Sequence, residues 1–175
     1  MTHPVNPDAP IFLVGFMGSG KTTIGKLLAR RLGWTFADLD DLVVRAAGMP
    51  IPEIFAREGE PAFRRRETDA LREAAARRRA VVATGGGAAC REENLALMLG
   101  AGRVVALAVS AAEAVRRTGA ASGRPLLDGA SDPLAAAATL LAARQAFYAR
   151  APWQFETDGR SPAEIANQIV GAVSP

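Results

Sequence analysis

Five short apolar runs punctuate the chain, and longer stretches with a helical period separate them. The runs are IFLVG at 11–15, WTFAD at 34–38, AVVAT at 80–84, RVVALAV at 103–109 and a weaker WQFE at 153–156. The first, third and fourth are almost continuously apolar, as strands covered on both faces are. Helical periodicity runs near 20–32, 60–77, 91–99, 111–117, 132–149 and 162–173. Three of these helices begin on capping chemistry. Ser110-x-x-Glu113 and Ser161-Pro162-x-Glu164 are capping boxes, and Asp132-Pro133 sets an acid before a first-turn proline. Strands alternating with helices predict an α/β fold, a parallel sheet with helices on both faces. Ligands on such sheets sit at the carboxyl ends of the strands. The segment TGAASGRPLLDGAS at 118–131 has little periodicity. It reads as a loop longer than compact domains usually leave without a purpose.

The chain's 175 residues suit one domain. Apolar residues at 49% and charged residues at 22% exclude a disordered chain, a collagen-like fibre and a disulfide scaffold. Cys90 is the only cysteine, which rules out an intrachain disulfide and fits a reducing, cytoplasmic setting. No apolar run approaches the ~18–20 residues of a membrane span. MTHPVNPDAP, residues 1–10, lacks the basic and apolar regions of a signal peptide and reads as a flexible lead-in to a domain over 11–175.

The net charge of +3 conceals an asymmetry: of 21 basic residues only Lys21 and Lys26 are lysines. The arginines are scattered, with triplets only at 64–66 and 77–79, and aromatics total 6%. Small anionic ligands suit that distribution better than a nucleic acid. His3, in the lead-in, is the only histidine. Histidine catalysis and histidine-rich metal sites are thereby excluded.

The most specific short motif follows the first strand: Gly15-Phe16-Met17-Gly18-Ser19-Gly20-Lys21-Thr22, or G-x-x-x-x-G-K-[ST] between a strand and a helix. Its backbone N–H groups cradle phosphate oxygens, and the helix adds its positive N-terminus. Lys21 reaches the β- and γ-phosphates, and the Thr22 hydroxyl is placed for Mg²⁺. Gly18, Ser19, Gly20 and Thr23 complete the nucleotide contacts. This predicts binding of a nucleoside triphosphate without naming the acceptor.

Asp38-Leu39-Asp40-Asp41 closes the second strand. Asp38 is a candidate to hold the metal, directly or through water. Asp40 shares its face if the strand continues, and could then take a hydroxyl proton. The competing reading is that one of these acids caps a helix; both can hold together. Gly85-Gly86-Gly87 after the third strand admits either close approach of a ligand to the backbone or a tight turn. Arg64, Arg65 and Arg66 lie ~100° apart around a helix, so at most one or two face a ligand. Arg124 lies in the long loop and Arg117 flanks it, where a closing lid competes with plain solvation. Arg144 alone reads as a surface charge, and Cys90 as a small apolar side chain. Phe55 and Phe63 read as core or pocket wall.

Taken together, GFMGSGKTTIGKLLA, FADLD, IPEIFAREGEPAFRRRE, TGGGA and RPLL closely resemble shikimate kinase, over about Ile11 to Val173. The resemblance implies a three-layer P-loop NTPase fold of the nucleoside-monophosphate-kinase type with a five-stranded parallel sheet. It implies ATP- and Mg²⁺-dependent phosphorylation of the 3-hydroxyl of shikimate, a step toward chorismate and the aromatic amino acids. Carried over by position, Lys21 binds phosphates, and Thr22 and Asp38 serve the metal. Asp40 contacts the shikimate hydroxyls and acts as base. Arg64 and Arg144 hold the carboxylate, with Glu67 orienting Arg64, and Gly85, Gly86 and Gly87 give backbone contacts. Arg124 closes from the lid of 118–131 onto the ATP phosphates, and Arg117 and Arg160 lie near the adenine. Gluconate kinases and nucleotide kinases share the phosphate loop, but the former lead us to expect a histidine near it and no glycine triplet, and the latter have no need of FRRRE with GGGA. An ATP-binding regulatory module without catalysis is disfavoured by Asp40 and Arg124. No dimer surface is readable, so the expectation is a monomer acting on small molecules, without nucleic acid or membrane.

Overall fold

The computed structural model describes residues 6–119 and 131–173. Strand β1 (Ile11–Gly15) leads through the glycine loop into α1 (Lys21–Leu32). Strand β2 (Thr35–Asp38) runs directly into α2 (Leu39–Ala47), followed by the long helix α3 (Ile51–Ala75). Then come β3 (Ala80–Ala83), a short 3₁₀ turn at Ala88–Cys90, α4 (Glu92–Ala101) and β4 (Arg103–Ala108). The chain continues through α5 (Ala111–Thr118), α6 (Pro133–Tyr148), β5 (Trp153–Glu156) and α7 (Pro162–Val173).

The five strands form one parallel sheet in the order β2-β3-β1-β4-β5. Alternate strand residues feed two cores. Ile11, Leu13, Val81, Val105 and Leu107 point to α1 and α7, meeting Ile24, Leu28, Ile165 and Ile169. Phe12, Val14, Val82, Val104 and Ala106 point to the other face, meeting Leu71, Leu95 and Met98 of α3 and α4. The expected α/β fold, with a five-stranded parallel sheet and helices on both faces, is the one observed. Strands are added to one side of β1 as far as β3 and to the other side from β4 onward, so β1 lies between β3 and β4. That is the switch point, where a crevice opens at the carboxyl ends of the strands.

Three differences from the sequence expectation have physical causes. The acids at 38–41 do not extend β2. Asp38 ends the strand and caps α2, its Oδ1 accepting the Asp40 N–H at 3.1 Å. Asp40 therefore stands in a first helical turn and not on a continuing strand. Helix α2 buries Leu39, Leu42 and Val43, an i, i+3, i+4 stripe. Helix α3 begins at Ile51, earlier than the periodicity near 60–77, because two helical pieces join across Gly59 (φ 81°). That backbone conformation suits glycine. Phe55 and Phe63 stack across the bend at 4.8 Å, and Arg66 clamps Glu58 at 2.9 and 3.0 Å. Finally, the domain is anchored before Ile11. Asp8 pairs with Arg78 and Arg79, Ala9 is buried, and the Pro10 carbonyl accepts the Arg103 N–H at 2.9 Å.

The capping boxes form by halves. Ser110 and Ser161 each accept the N–H three residues on, at 3.2 Å. Their glutamates turn away: Glu113 binds Arg116 and Arg117, and Glu164 binds Arg160. Asp158 takes the Ser110 N–H instead.

Candidate active site

Gly15 starts the phosphate loop where no side chain fits: a Cβ there would stand 2.4 Å from the Leu107 carbonyl oxygen. The Lys21 ammonium donates to the carbonyls of Gly15 (2.8 Å) and Phe16 (2.9 Å) and lies 3.4 Å from Ser19 Oγ. It thus folds back over the mouth of the loop. Thr22, in the first turn of α1, donates its hydroxyl to Asp38 Oδ2 at 2.9 Å. Strand β2, two strands from β1, brings Asp38 to the loop, so two hard oxygen donors adjoin where the phosphates would sit.

One cleft of about 820 Å³ gathers most of the predicted residues. Lys21, Thr22 and Thr23 lie along its floor with Gly18 and Gly20, and Asp38 and Asp40 line the β2 side. Arg64, Glu67, Arg144 and Gly85–Gly87 form the far end, with Phe55 and Phe63 as apolar wall. Close approach at the triplet is direct. A Cβ on Gly87 would stand 3.0 Å from Arg64 Nη1, and one on Gly85 3.1 Å from Asp40 Oδ1 and 3.0 Å from Glu67 Oε1. A Cβ on Gly86 would lie 3.5 Å from Arg144 Nη1.

Arg64 is held on both sides. Its Nη1 donates to Glu67 at 3.0 Å, and its Nε and Nη2 donate to the exposed Glu60 at 3.2 and 3.1 Å. Glu67 is buried, so its charge depends on this partner: burial pushes its carboxyl up and Arg64 pulls it back. Of the other two arginines in the triplet, Arg65 is exposed and Arg66 serves the Gly59 bend. A lower tier keys α3 to the turn after β3. Thr68 donates to Asn94 Oδ1 (2.9 Å), and Asn94 donates to the Ala88 carbonyl (3.1 Å). Arg91 donates to the Arg64 carbonyl at 3.0 Å.

Asp40 is the electrostatic focus. Burial, then the charges of Asp38 and Glu67, push its carboxyl to about 6, against the opposing pull of Lys21. A carboxylate with that poise, beside a phosphate loop and opposite two arginines, is equipped to take a proton near neutral pH.

The family model for shikimate kinase matches residues 17–174. The chain belongs to the shikimate kinase family. A shikimate kinase of Moorella thermoacetica is 47% identical over 163 residues, covering 93% of each protein. One of Geobacter metallireducens is 44% identical over 163 residues, covering 92% of this chain and 89% of that protein. Among solved structures, the shikimate kinase of Acinetobacter baumannii in complex with shikimate superposes with a TM-score of 0.90. It is 38% identical and covers 94% of this chain and 92% of that one.

The remaining predicted residues of this family member separate into two groups. Arg117 and Arg160 flank a second hollow of about 380 Å³, lined also by Ser19, Gly20, Thr23 and Pro162. Arg117 is fixed there: it donates to the carbonyls of Gly18 (3.0 Å) and Thr157 (2.8 Å). Glu113 also holds it, its own carboxyl drawn down to about 2 by Arg116 and Arg117. Arg160 donates to Glu164 at 2.9 Å. Arg124 and most of the loop at 118–131 lie outside the described residues. Arg144 is no mere surface charge; it is half-buried, its guanidinium 5.9 Å from the Phe16 ring. Sequence reasoning passed over Glu60, Asn94 and Tyr148. Tyr148 carries a signal in hindsight: it is the chain's single tyrosine and stands one helical turn after Arg144.

Proposed function

We propose that the chain phosphorylates the 3-hydroxyl of shikimate from ATP to give shikimate 3-phosphate, on the route to chorismate and the aromatic amino acids. One observation carries this reading. Arg64 and Arg144, 80 residues apart, converge on the Gly85–Gly87 backbone in the cleft that also holds the phosphate loop and Asp40. A rigid, hydroxylated carboxylate spans such a site: guanidinium forks take the carboxylate, and the hydroxyls reach the acid.

In this reading Lys21 and the N–H groups of Gly18, Ser19 and Gly20 hold the phosphates. Asp40 accepts the proton of the 3-hydroxyl as its oxygen bonds the γ-phosphorus and the bond to the β-phosphate oxygen breaks. Arg64, oriented by Glu67, and Arg144 hold the carboxylate, with backbone contacts from Gly85, Gly86 and Gly87. Arg117 and Arg160 border the base, and Arg124 closes from the lid of 118–131 onto the transferring charge. Thr22 Oγ1 and Asp38 Oδ2, 2.9 Å apart, fit Mg²⁺, which takes few protein oxygens and completes its shell with water and phosphate. When bound, the ion offsets charge on the phosphates.

The protein acts as a single domain, as a monomer and in the cytoplasm. The lone cysteine supports the last point. No helix among the described residues is long and apolar enough to cross a membrane. A coupled ADP-release assay with shikimate, gluconate and nucleoside monophosphates tests the reading. Shikimate alone drives turnover, and comparable turnover with gluconate would refute it.

A further inference from the structure

Gly86 and Gly87 pose a problem that their own chemistry does not solve. Two successive glycines leave the peptide between them without a Cβ on either side to fix its orientation. Something else must hold that peptide if its N–H is to serve a ligand. The N–H groups of Gly85, Gly86 and Gly87 donate to no acceptor among the described residues, so all three are available.

The Gly86 carbonyl, by contrast, is anchored. Tyr148, in the last turn of α6 and only 6% exposed, donates its hydroxyl to this oxygen at 2.6 Å. The described chain has no cis peptide bond. In a trans peptide the carbonyl and the following N–H point in opposite directions. Drawing the Gly86 carbonyl toward α6 therefore aims the Gly87 N–H away from α6. Arg64 lies against Gly87 and Arg144 against Gly86. Among the described residues the only other group on that carbonyl is Cys90 Sγ at 3.8 Å, a weak donor.

We propose that Tyr148 is a positioning residue for the acceptor: its hydroxyl holds the Gly86–Gly87 peptide so that the Gly87 N–H faces the bound substrate between Arg64 and Arg144. The inference rests on shikimate being that substrate. Tyr148 and Arg144 share α6 one turn apart, so the helix couples the carboxylate fork to the peptide's anchor. The buried phenol is raised well above its ordinary pKa, against the pull of Arg144, and stays a donor at any assay pH.

The test is Tyr148→Phe, which keeps the ring and removes only the donor. Calorimetry should show shikimate binding weakened about tenfold, ~1.4 kcal/mol, with ATP affinity within twofold of wild type. Unchanged shikimate affinity, or equal losses for both ligands, overturns the inference. Cys90→Ala should change neither; a tenfold loss of shikimate affinity there would assign the anchor to the thiol and overturn it too. Because Tyr148 is the only tyrosine, 3-fluorotyrosine labelling supplies a second readout that does not depend on the variant folding. Its single ¹⁹F resonance should shift on adding shikimate and not on adding ADP; no shift with shikimate overturns the inference. A wild-type protein that binds no shikimate at all would instead remove the functional reading beneath it.

Discussion

Replacing Asp40 by asparagine should make the free protein more stable while removing its activity. The folded carboxyl sits at about 6 against an ordinary 3.8, because burial and the charges of Asp38 and Glu67 oppose its ionisation. Between pH 4 and 6 the folded chain keeps a proton that the unfolded chain has lost. Stability therefore falls as pH rises through that window, and the loss is complete above it. A difference of about 2 pKa units corresponds to roughly 3 kcal/mol of penalty at neutral pH. That is an upper value for the relief, because the introduced amide must also be satisfied in the cleft. The gain expected at pH 7.5 is about 1–3 kcal/mol, or roughly 2–10 °C in Tm for a chain of this size. At pH 4.5, which lies only a little above the ordinary value of 3.8, most of the penalty has not yet accrued, and the gain should shrink to about a third of its size at pH 7.5. Thermal unfolding at both pH values, with EDTA and without nucleotide, measures it. Turnover should fall by about 10²–10⁴, the usual contribution of a positioned base. A variant that is less stable at pH 7.5, or stabilised equally at both pH values, would refute the electrostatic argument. A kcat within a few-fold of wild type would refute the role as base.

Three further outcomes follow from the proposed reaction. Arg64→Ala and Arg144→Ala should each raise the shikimate KM tens-fold or more, with ATP KM nearly unchanged, since losing one partner of a buried charge pair costs about 2–5 kcal/mol; an effect on ATP KM alone would refute the carboxylate assignment. Arg124→Ala should act mainly on kcat, by about 10³-fold, as for a weak arginine finger; a pure KM effect in steady-state kinetics would rule that out. Glu67→Gln removes a charge that raises Asp40, so the acid limb of the kcat/KM–pH profile should move below 6, and the shikimate KM should rise as Arg64 loses its buried partner; an unmoved limb would show that the two carboxylates do not interact.

The three central strands of the sheet were legible because they are buried on both faces. Such strands read as unbroken apolar runs, and IFLVG, AVVAT and RVVALAV become β1, β3 and β4 almost to the residue. The phosphate loop was legible because its spacing carries a mechanism within eight residues. Helix α2 was hidden by its own acids. Asp38 caps it and Asp40 and Asp41 fill its first turn, and its buried stripe is only Leu39, Leu42 and Val43. The capping role of Asp38 and its bond to Thr22 use different oxygens of one carboxylate, Oδ1 and Oδ2. Structural and chemical readings of that residue were therefore never true alternatives.

Arg144 shows where local reading stops. Nothing within three residues of it marks a site; α6 around it is rich in exposed alanine. Its role comes from the topology, which lays α6 over the turn after β3 and sets Arg144 against Gly86 while Tyr148 binds the same glycine's carbonyl. Arg64 arrives from the other side, on the helix bent at Gly59 and keyed to that turn through Thr68, Asn94 and Ala88. The far end of the cleft is thus assembled from three segments that meet at a glycine triplet. Without side chains of its own, the triplet lets both guanidinium groups approach the backbone to within contact distance. A single methyl at Gly87 would stand 3.0–3.3 Å from three atoms of the Arg64 guanidinium, which would have to give by a few tenths of an ångström against its links to Glu60 and Glu67. At Gly85 and Gly87 the small residue is favoured by the side chains that surround it, which is why the triplet read in isolation was also consistent with a plain turn.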